Sequence, residues 1–354
     1  MCETPQPWRP ADGAAPKESY RRRRASCDRD HTVTGPAVTG PAVTGPAVTG
    51  PAVTGPAVTG PAVLVTGAGG QLGSDVLGVA AGWCEVLGVT RAELDIADAD
   101  QTDQVVGGWA AHRTGSARLV VVNTAAYTAV DAAETDRDRA YAVNATGPAN
   151  LARSCARHGA WLVQVSTDYV FAGDASTPYE VTAPTAPAGV YGETKLAGER
   201  AVRELCPRSW VVRTAWVYGA TGGNFVKTMA RLERERETVD VVDDQRGSPT
   251  WSAELARGLL ALAASDAAAG IYHCTSAGET TWYGLARAVF AELGADPDRV
   301  RPTTSDRSPR PAPRPAYSVL SGAAWRDAGL PMLPGWRDGL RTAFRTVGEA
   351  LRAG

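Results

Sequence analysis

Residues 62–73 read Ala-Val-Leu-Val-Thr-Gly-Ala-Gly-Gly-Gln-Leu-Gly, and the fold is decided there. The first five are a β-rich apolar run too short for a helix. A glycine cluster ends it, and 71–81 then carries a helical pattern, so the unit is strand, tight turn, helix. Working outward, further apolar runs at 85–89, 119–123 (LVVVN), 161–165 (WLVQV) and 210–213 read as strands. Helical stretches at 100–113, 132–157 and 192–205 separate them. Strands without polar alternation, interleaved with helices, belong to a parallel sheet covered on both faces. The class is therefore α/β, a doubly wound parallel sheet with right-handed crossovers. After residue 218 the rhythm changes. Shorter strands (239–242, 270–273) alternate with helices near 224–236, 252–265 and 281–293, followed by a Pro-rich connection at 302–315 and a terminal helix from about 335. This predicts a smaller C-terminal α/β domain, mainly 219–354, laid over the carboxyl edge of the sheet of 62–218, where open α/β sheets hold ligands.

The first 61 residues are a different material. Residues 34–63 are six copies of TGPAV, preceded by a polar stretch with RRRR at 21–24. A proline in every copy removes a backbone donor and pushes the preceding glycine toward extended conformations, so neither helix nor central strand propagates. The segment 1–61 reads as a disordered or polyproline-like leader. Residues 1–33 hold seven basic and five acidic side chains, which favours a solvated tail over a polyanion-binding arm. The last copy runs directly into the first strand, so the leader also reads as a repeat expansion or a start codon placed too early.

Composition excludes several classes. The chain has 354 residues, 44% hydrophobic and 21% charged, with a net charge of -2, ample for a core and without the positive field that recruits nucleic acid or anionic lipid. No apolar run approaches the roughly 20 residues of a membrane span, and the amino terminus lacks a secretory h-region, so a cytoplasmic protein is expected. The six cysteines form no CxxC pair, which argues against zinc or a disulfide framework.

The turn after the first strand gives GxxGxxG with Gly67, Gly70 and Gly73. Small residues there let a pyrophosphate approach the amides that open the next helix, whose dipole favours negative charge. This marks 62–218 as an NAD(P)-binding Rossmann domain. At the end of the second strand stands Thr90-Arg91 rather than an acid. A hydroxyl and a guanidinium suit a 2′-phosphate, which favours NADPH over NADH, with Glu93 as a countervailing charge and a solubilising Arg as the plainer alternative. Asp95 can accept from an adenine amino group while Ile96 packs on the ring, or it can cap the following helix. Small side chains after the third strand, Ala125 and Ala126, leave room for a cofactor.

Tyr191 and Lys195 in VYGETK stand at i and i+4, one helical turn apart. A free tyrosine has a pKa of about 10, and a neighbouring ammonium is expected to lower it while also holding a ribose. Thr167, in Ser166-Thr167-Asp168 at a strand end, offers a hydroxyl to a carbonyl oxygen and to the alkoxide it becomes, the alternative being a helix cap. Together the three specify reduction of a ketone, or its reverse.

TGAGGQLG, LDI, VNTAAYTAVDAAE, 142–144, STDYVFAG, YGETKLAGE, RTAWVYG, DDQRGSPT, TTWY and RPAYSVL appear in order between 66 and 320. In these the chain resembles the dTDP-4-dehydrorhamnose reductases of the extended short-chain dehydrogenase superfamily, over nearly all of 62–354. The resemblance implies Tyr191 as proton donor, Lys195 as its activator and ribose ligand, and Thr167 as the carbonyl-binding hydroxyl. It implies Gly70, Gln71 and Leu72 at the pyrophosphate, Asp95 and Ile96 at the adenosine, and Ala125 and Ala126 beside the nicotinamide. Thr167, Asp168 and Trp216 would face the deoxyhexose, Trp216 having a core aromatic as its alternative. Asn144 matches a helix asparagine of structural or water-binding role. Tyr179 stands where many members carry Trp, a departure that bears on that loop's substrate contact, and Lys227 and Arg314 are candidates for the nucleotide phosphates. The implied reaction reduces the 4-keto group of a dTDP-keto sugar, dTDP-4-dehydro-β-L-rhamnose, with NADPH, or alternatively NADH, by a monomer or homodimer and without metal. Rivals are a reductase of a related dTDP-keto sugar in antibiotic biosynthesis and a cofactor-binding regulatory subunit without turnover. A dehydratase is disfavoured because Tyr169 occupies the place of its usual Glu.

Overall fold

A computed structural model describes residues 60–112 and 118–353. The leader up to residue 59, with its Arg run, Cys2 and Cys27, lies outside the described residues. Six strands form the central sheet: β1 (Ala62–Thr66), β2 (Glu85–Val89), β3 (Leu119–Asn123), β4 (Trp161–Thr167), β5 (Ser209–Thr214) and β6 (Gly270–His273). Their order is β6-β5-β4-β3-β1-β2, and every neighbouring pair is parallel. The Ala and Val that close the last TGPAV copy are thus the first two residues of a fully buried strand.

Alternate residues of each strand feed opposite faces, as pleating requires. Val63, Val65, Val120, Val122 and Val163 pack beneath α1 (Gln71–Ala80) and the helix Ser252–Ala264. Leu64, Val121 and Leu162 join a second core with Val106 of α2 (Ala99–Ala111) and Leu151 of α3 (Gly147–His158), next to which lies α4 (Val190–Leu205). Because the chain leaves β1 for β2 on one side and then for β3 on the other, the carboxyl ends of β1 and β3 part. That parting is the switch point at which open sheets bind ligands.

Two expectations are corrected. The stretch 132–157 is not one helix. It breaks into Val130–Ala133, Arg137–Tyr141, a π-type turn Ala142–Thr146 and then α3. Pro148, in the first turn of α3, has no N–H to give the carbonyl of Asn144, so the ladder shifts there. The second correction concerns 252–273, expected in the smaller domain. The helix Ser252–Ala264 packs on α1, and β6 pairs with β5 at the sheet edge. The rest of the C-terminal part has its own core, built from α5 (Phe225–Glu235), α6 (Trp282–Glu292), α7 (Trp336–Arg352) and a parallel pair, Val239–Val242 with Val300–Thr303. That pair has only two strands, so it tolerates Pro302, which would break a central strand.

Among the described residues Cys84, Cys155, Cys206 and Cys274 are buried free thiols. No described helix is long and apolar enough to cross a membrane.

Candidate active site

A cavity of about 860 Å³ opens at the carboxyl ends of β1, β3 and β4. At one end lies the glycine turn. Gly67 adopts φ 74°, and a Cβ there would sit 2.6 Å from the amide nitrogen of Ala125, so only glycine fits. Gly70 is the N-cap of α1 with no side-chain cap, and the first turn carries no acid. The Gly70 amide closes the turn by donating to the carbonyl of Gly67, which leaves the amides of Gln71 and Leu72, at the helix start and facing the cavity, as a site for an anion. Gly73 does not line the cavity. A Cβ there would lie 2.3 Å from the carbonyl oxygen of Gly67, so its part is to seat helix on turn. The Gln71 side chain donates to the carbonyl of Val217 and accepts from Asn224, tying the start of α1 to the loop beyond β5.

Beside the turn, Thr66, Asn123 and Gln164 form a buried hydrogen-bonded row across β1, β3 and β4, and Asn123 also accepts from the amide of Ala125. This row fixes Ala125, which with Ala126 lines the cavity. Thr90 and Arg91 line it farther out. The Glu93 carboxylate accepts from both the amide and the hydroxyl of Thr90 rather than pairing with Arg91, which is 65% exposed and forms a loose ion pair with Asp95 at 3.9 Å. Asp95 does not cap α2. Asp98 does, accepting from the amide of Gln101, while Asp95 accepts from Ala97. Ile96 also lines the cavity, buried against Gly147, where a Cβ would strike its side chain.

At the other end Thr167, Tyr191 and Lys195 line the same cavity. Thr167 ends β4, caps the following turn by accepting from the amide of Tyr169, and donates to Asp168. The cap reading is thus met, and the same hydroxyl lines the cavity. Burial pushes the Tyr191 phenol up to about 12, the Asp168 carboxylate adds to the rise, and a hydrogen bond with Thr167 opposes it. The expectation that Lys195 lowers the phenol is not met, because Lys195 gives its ammonium to the carbonyl of Val165 at 2.7 Å. Burial pulls Lys195 down to about 8, opposed by Glu199. Asp168 is raised to about 6 by burial. Its Oδ2 has no hydrogen-bond partner, although the Ser318 hydroxyl is near enough to favour the charged form.

Trp216 faces the cavity and is the only described non-glycine residue with positive φ, at 49°. Trp282 stacks on it at 3.6 Å, and Gly247 lies against its ring with no room for a Cβ. Strain of this kind is retained where packing over-determines it. Trp282, another cavity residue, had a signal in the TTWY stretch but no assigned role. Ser166, Glu199 and Arg213, buried behind Lys195, likewise stand in the quoted stretches STDYVFAG, YGETKLAGE and RTAWVYG without an assigned role.

Three outlying candidates fall elsewhere. Lys227 bonds the carbonyl of Ala220, Arg314 is paired with Asp131, and neither lines the cavity. Tyr179 stacks on Phe171, and its hydroxyl oxygen accepts from the amides of Gly173, Asp174 and Ala175, so it anchors its own loop. Asn144 clamps the 127 loop to α4, accepting from the amide of Tyr127 and donating to Thr194.

The family model described as the RmlD substrate binding domain matches residues 61–348. The chain belongs to the RmlD family. Within that family it is 51% identical over 288 residues to the dTDP-4-dehydrorhamnose reductase of Mycobacterium tuberculosis, covering 80% of this chain and 92% of that protein. It is 49% identical over 288 residues to a probable dTDP-4,6-dihydroxy-2-methyloxan-3-one 4-ketoreductase of Streptomyces antibioticus, covering 80% and 95%. The crystal structure of a Bacillus anthracis dTDP-4-dehydrorhamnose reductase in complex with NADP superposes with a TM-score of 0.76 at 37% identity, covering 81% of this chain and 99% of that one. The match starts where the leader ends, and the doubly wound fold read from the sequence is that of the RmlD family.

Proposed function

We propose that this RmlD-family chain is an NADPH-dependent reductase of a nucleotide-sugar ketone, and that its substrate is dTDP-4-dehydrorhamnose. The observation that carries the reading is the meeting of Thr167, Tyr191 and Lys195 in one cavity with an uncapped, glycine-lined helix start. The donor set fits the cofactor. The amides of Gln71 and Leu72, with Gly70 allowing close approach, would hold a pyrophosphate, Asp95 and Ile96 the adenosine, Arg91 a 2′-phosphate, and Ala125, Ala126 and Lys195 the nicotinamide half. NADPH, when bound, supplies the hydride.

The chain's own residues supply the rest. Thr167 orients the ketone oxygen, turning its hydroxyl from Asp168 toward the substrate. Tyr191 is protonated at neutral pH, as a donor in the reducing direction has to be. Its high pKa still suffices, because an alkoxide is more basic than a phenolate and the transfer runs downhill. Asp168 Oδ2 and Thr214 Oγ1, two buried polar atoms of lining residues that lack partners, are places where sugar hydroxyls can bond. Trp216 and Trp282 give the sugar an aromatic wall. Binding of the remote dTDP group holds the ketone in place for reaction.

A cytoplasmic location goes with this reading, since cofactor and substrate are both soluble nucleotides. The similarity to the Streptomyces antibioticus ketoreductase favours a second substrate of the same class, a dTDP-4-keto sugar lacking the 2-hydroxyl. Following absorbance at 340 nm with each sugar and with NADPH or NADH tests both. Oxidation of NADPH dependent on dTDP-4-dehydrorhamnose supports the first, faster turnover of the 2-deoxy sugar supports the second, and no oxidation with either rejects the enzyme.

A further inference from the structure

Behind the reacting groups lies a buried ionic cluster that the reaction above does not use. Glu199 sits on α4 one turn beyond Lys195. Its Oε1 accepts from the Ser166 hydroxyl at 2.5 Å and from Nε of Arg213 at 2.9 Å, and its Oε2 accepts from Nη2 of Arg213 at 2.7 Å. Both charged side chains are 2% exposed. Ser166 lies between Val165, whose carbonyl receives Lys195, and Thr167, which faces the cavity. One carboxylate therefore joins the helix of Tyr191 and Lys195 to the strand end of Thr167 and, through Arg213, to β5.

We propose that Glu199 is a positioning residue for the reduction: it sets the register of α4 against β4 and keeps Lys195 an ammonium at working pH. The inference rests on the reductase reading above. Stability alone is a weak reason for such a pair, since replacing buried ion pairs by apolar residues of similar volume is often neutral or stabilising. The arrangement instead places its negative charge where it acts on the lysine. The titratable groups around Lys195 are Tyr191 and Glu199 on its own helix, Asp168 and Tyr169 at the end of β4, and Arg213 on β5 with His273 beside it. Of these, the Glu199 carboxylate is the group that raises Lys195, against burial, which lowers it.

The sign follows. Removing the Glu199 charge lets Lys195 lose its proton at lower pH, so the alkaline limb of activity moves down. Glu199→Gln, and a double variant with Glu199→Met and Arg213→Met in case the lone Arg213 charge prevents folding, are compared with the unaltered chain. The pH dependence of NADPH affinity by fluorescence and of kcat by absorbance are both measured. Expected are folded variants with NADPH affinity near normal at pH 6.5, and an alkaline limb lower by about one unit, a tenfold loss at the top of the range. A folded variant with an unshifted limb in both readouts overturns the inference. If the unaltered chain binds NADPH but reduces neither sugar, the reductase reading fails, while the pH dependence of binding still decides the role of Glu199.

Discussion

At its nucleotide end the cavity presents backbone: a glycine turn, the open amides of α1, and two alanines, the first held by Asn123. At its reacting end it presents titratable side chains held out of water, with Tyr191 raised to about 12, Asp168 to about 6 and Lys195 lowered to about 8. Amides and a helix dipole carry no proton that titrates near neutrality, so the first end recognises by shape and fixed partial charge. Buried ionisable groups respond to each other and to pH, so the second end is where chemistry is tuned and stability is given up. The difference predicts that substitutions at one end alter binding, and at the other turnover and pH dependence.

The sharpest way to break this contrast is Tyr191→Phe. Turnover should fall roughly a hundredfold or more, the scale of lost acid catalysis, with NADPH affinity nearly intact by fluorescence titration. Near-normal turnover would remove the phenol from the chemistry. Next comes Gly73→Ala at the opposite end. Its Cβ would press on the Gly67 carbonyl, and overpacking of this kind costs about 1–3 kcal/mol. NADPH affinity should weaken about tenfold or more and the melting temperature fall, while kcat at saturation changes little.

Asp168→Asn sharpens the comparison through stability. The folded chain holds the Asp168 proton up to about pH 6, against 3.8 for a free carboxyl. The stability this group contributes is therefore complete below the free value and lost as pH rises through 6. The amide variant should be more stable than the unaltered chain at pH 7.5 by on the order of 1–3 kcal/mol, and so melt higher, with the gap closing toward pH 4. Equal melting at both pH values would mean Asp168 is not held at a stability cost. The smallest effect belongs to Arg91→Ala, since that side chain is mostly exposed. NADPH should bind about three- to tenfold more weakly and NADH equally well, and an equal loss for both would place the guanidinium away from the 2′-phosphate.

What the sequence disclosed was local. GxxGxxG and YxxxK have spacings that a turn and a helix convert directly into neighbouring groups, and both line the cavity apart from Gly73. Contacts across the fold were not legible. Glu199 and Arg213 are 14 residues apart and meet only because α4 lies on the sheet beside β5. Lys195 reaches a strand carbonyl rather than Tyr191 for the same reason. The break at Asn144 depends on a proline four residues on, weighed against an otherwise unbroken helical pattern. β6 read as part of a second domain because a short strand says nothing about which sheet it joins.

The central claim is that this cavity delivers hydride to carbon 4 of a dTDP-keto sugar while Tyr191 protonates the oxygen. Incubation with dTDP-4-dehydrorhamnose and NADPH deuterated at both C4 positions, followed by NMR of the product, tests it most directly. A single deuterium on sugar carbon 4 is the expected result. Deuterium on another carbon, or none in a product that has nonetheless formed, would contradict the account.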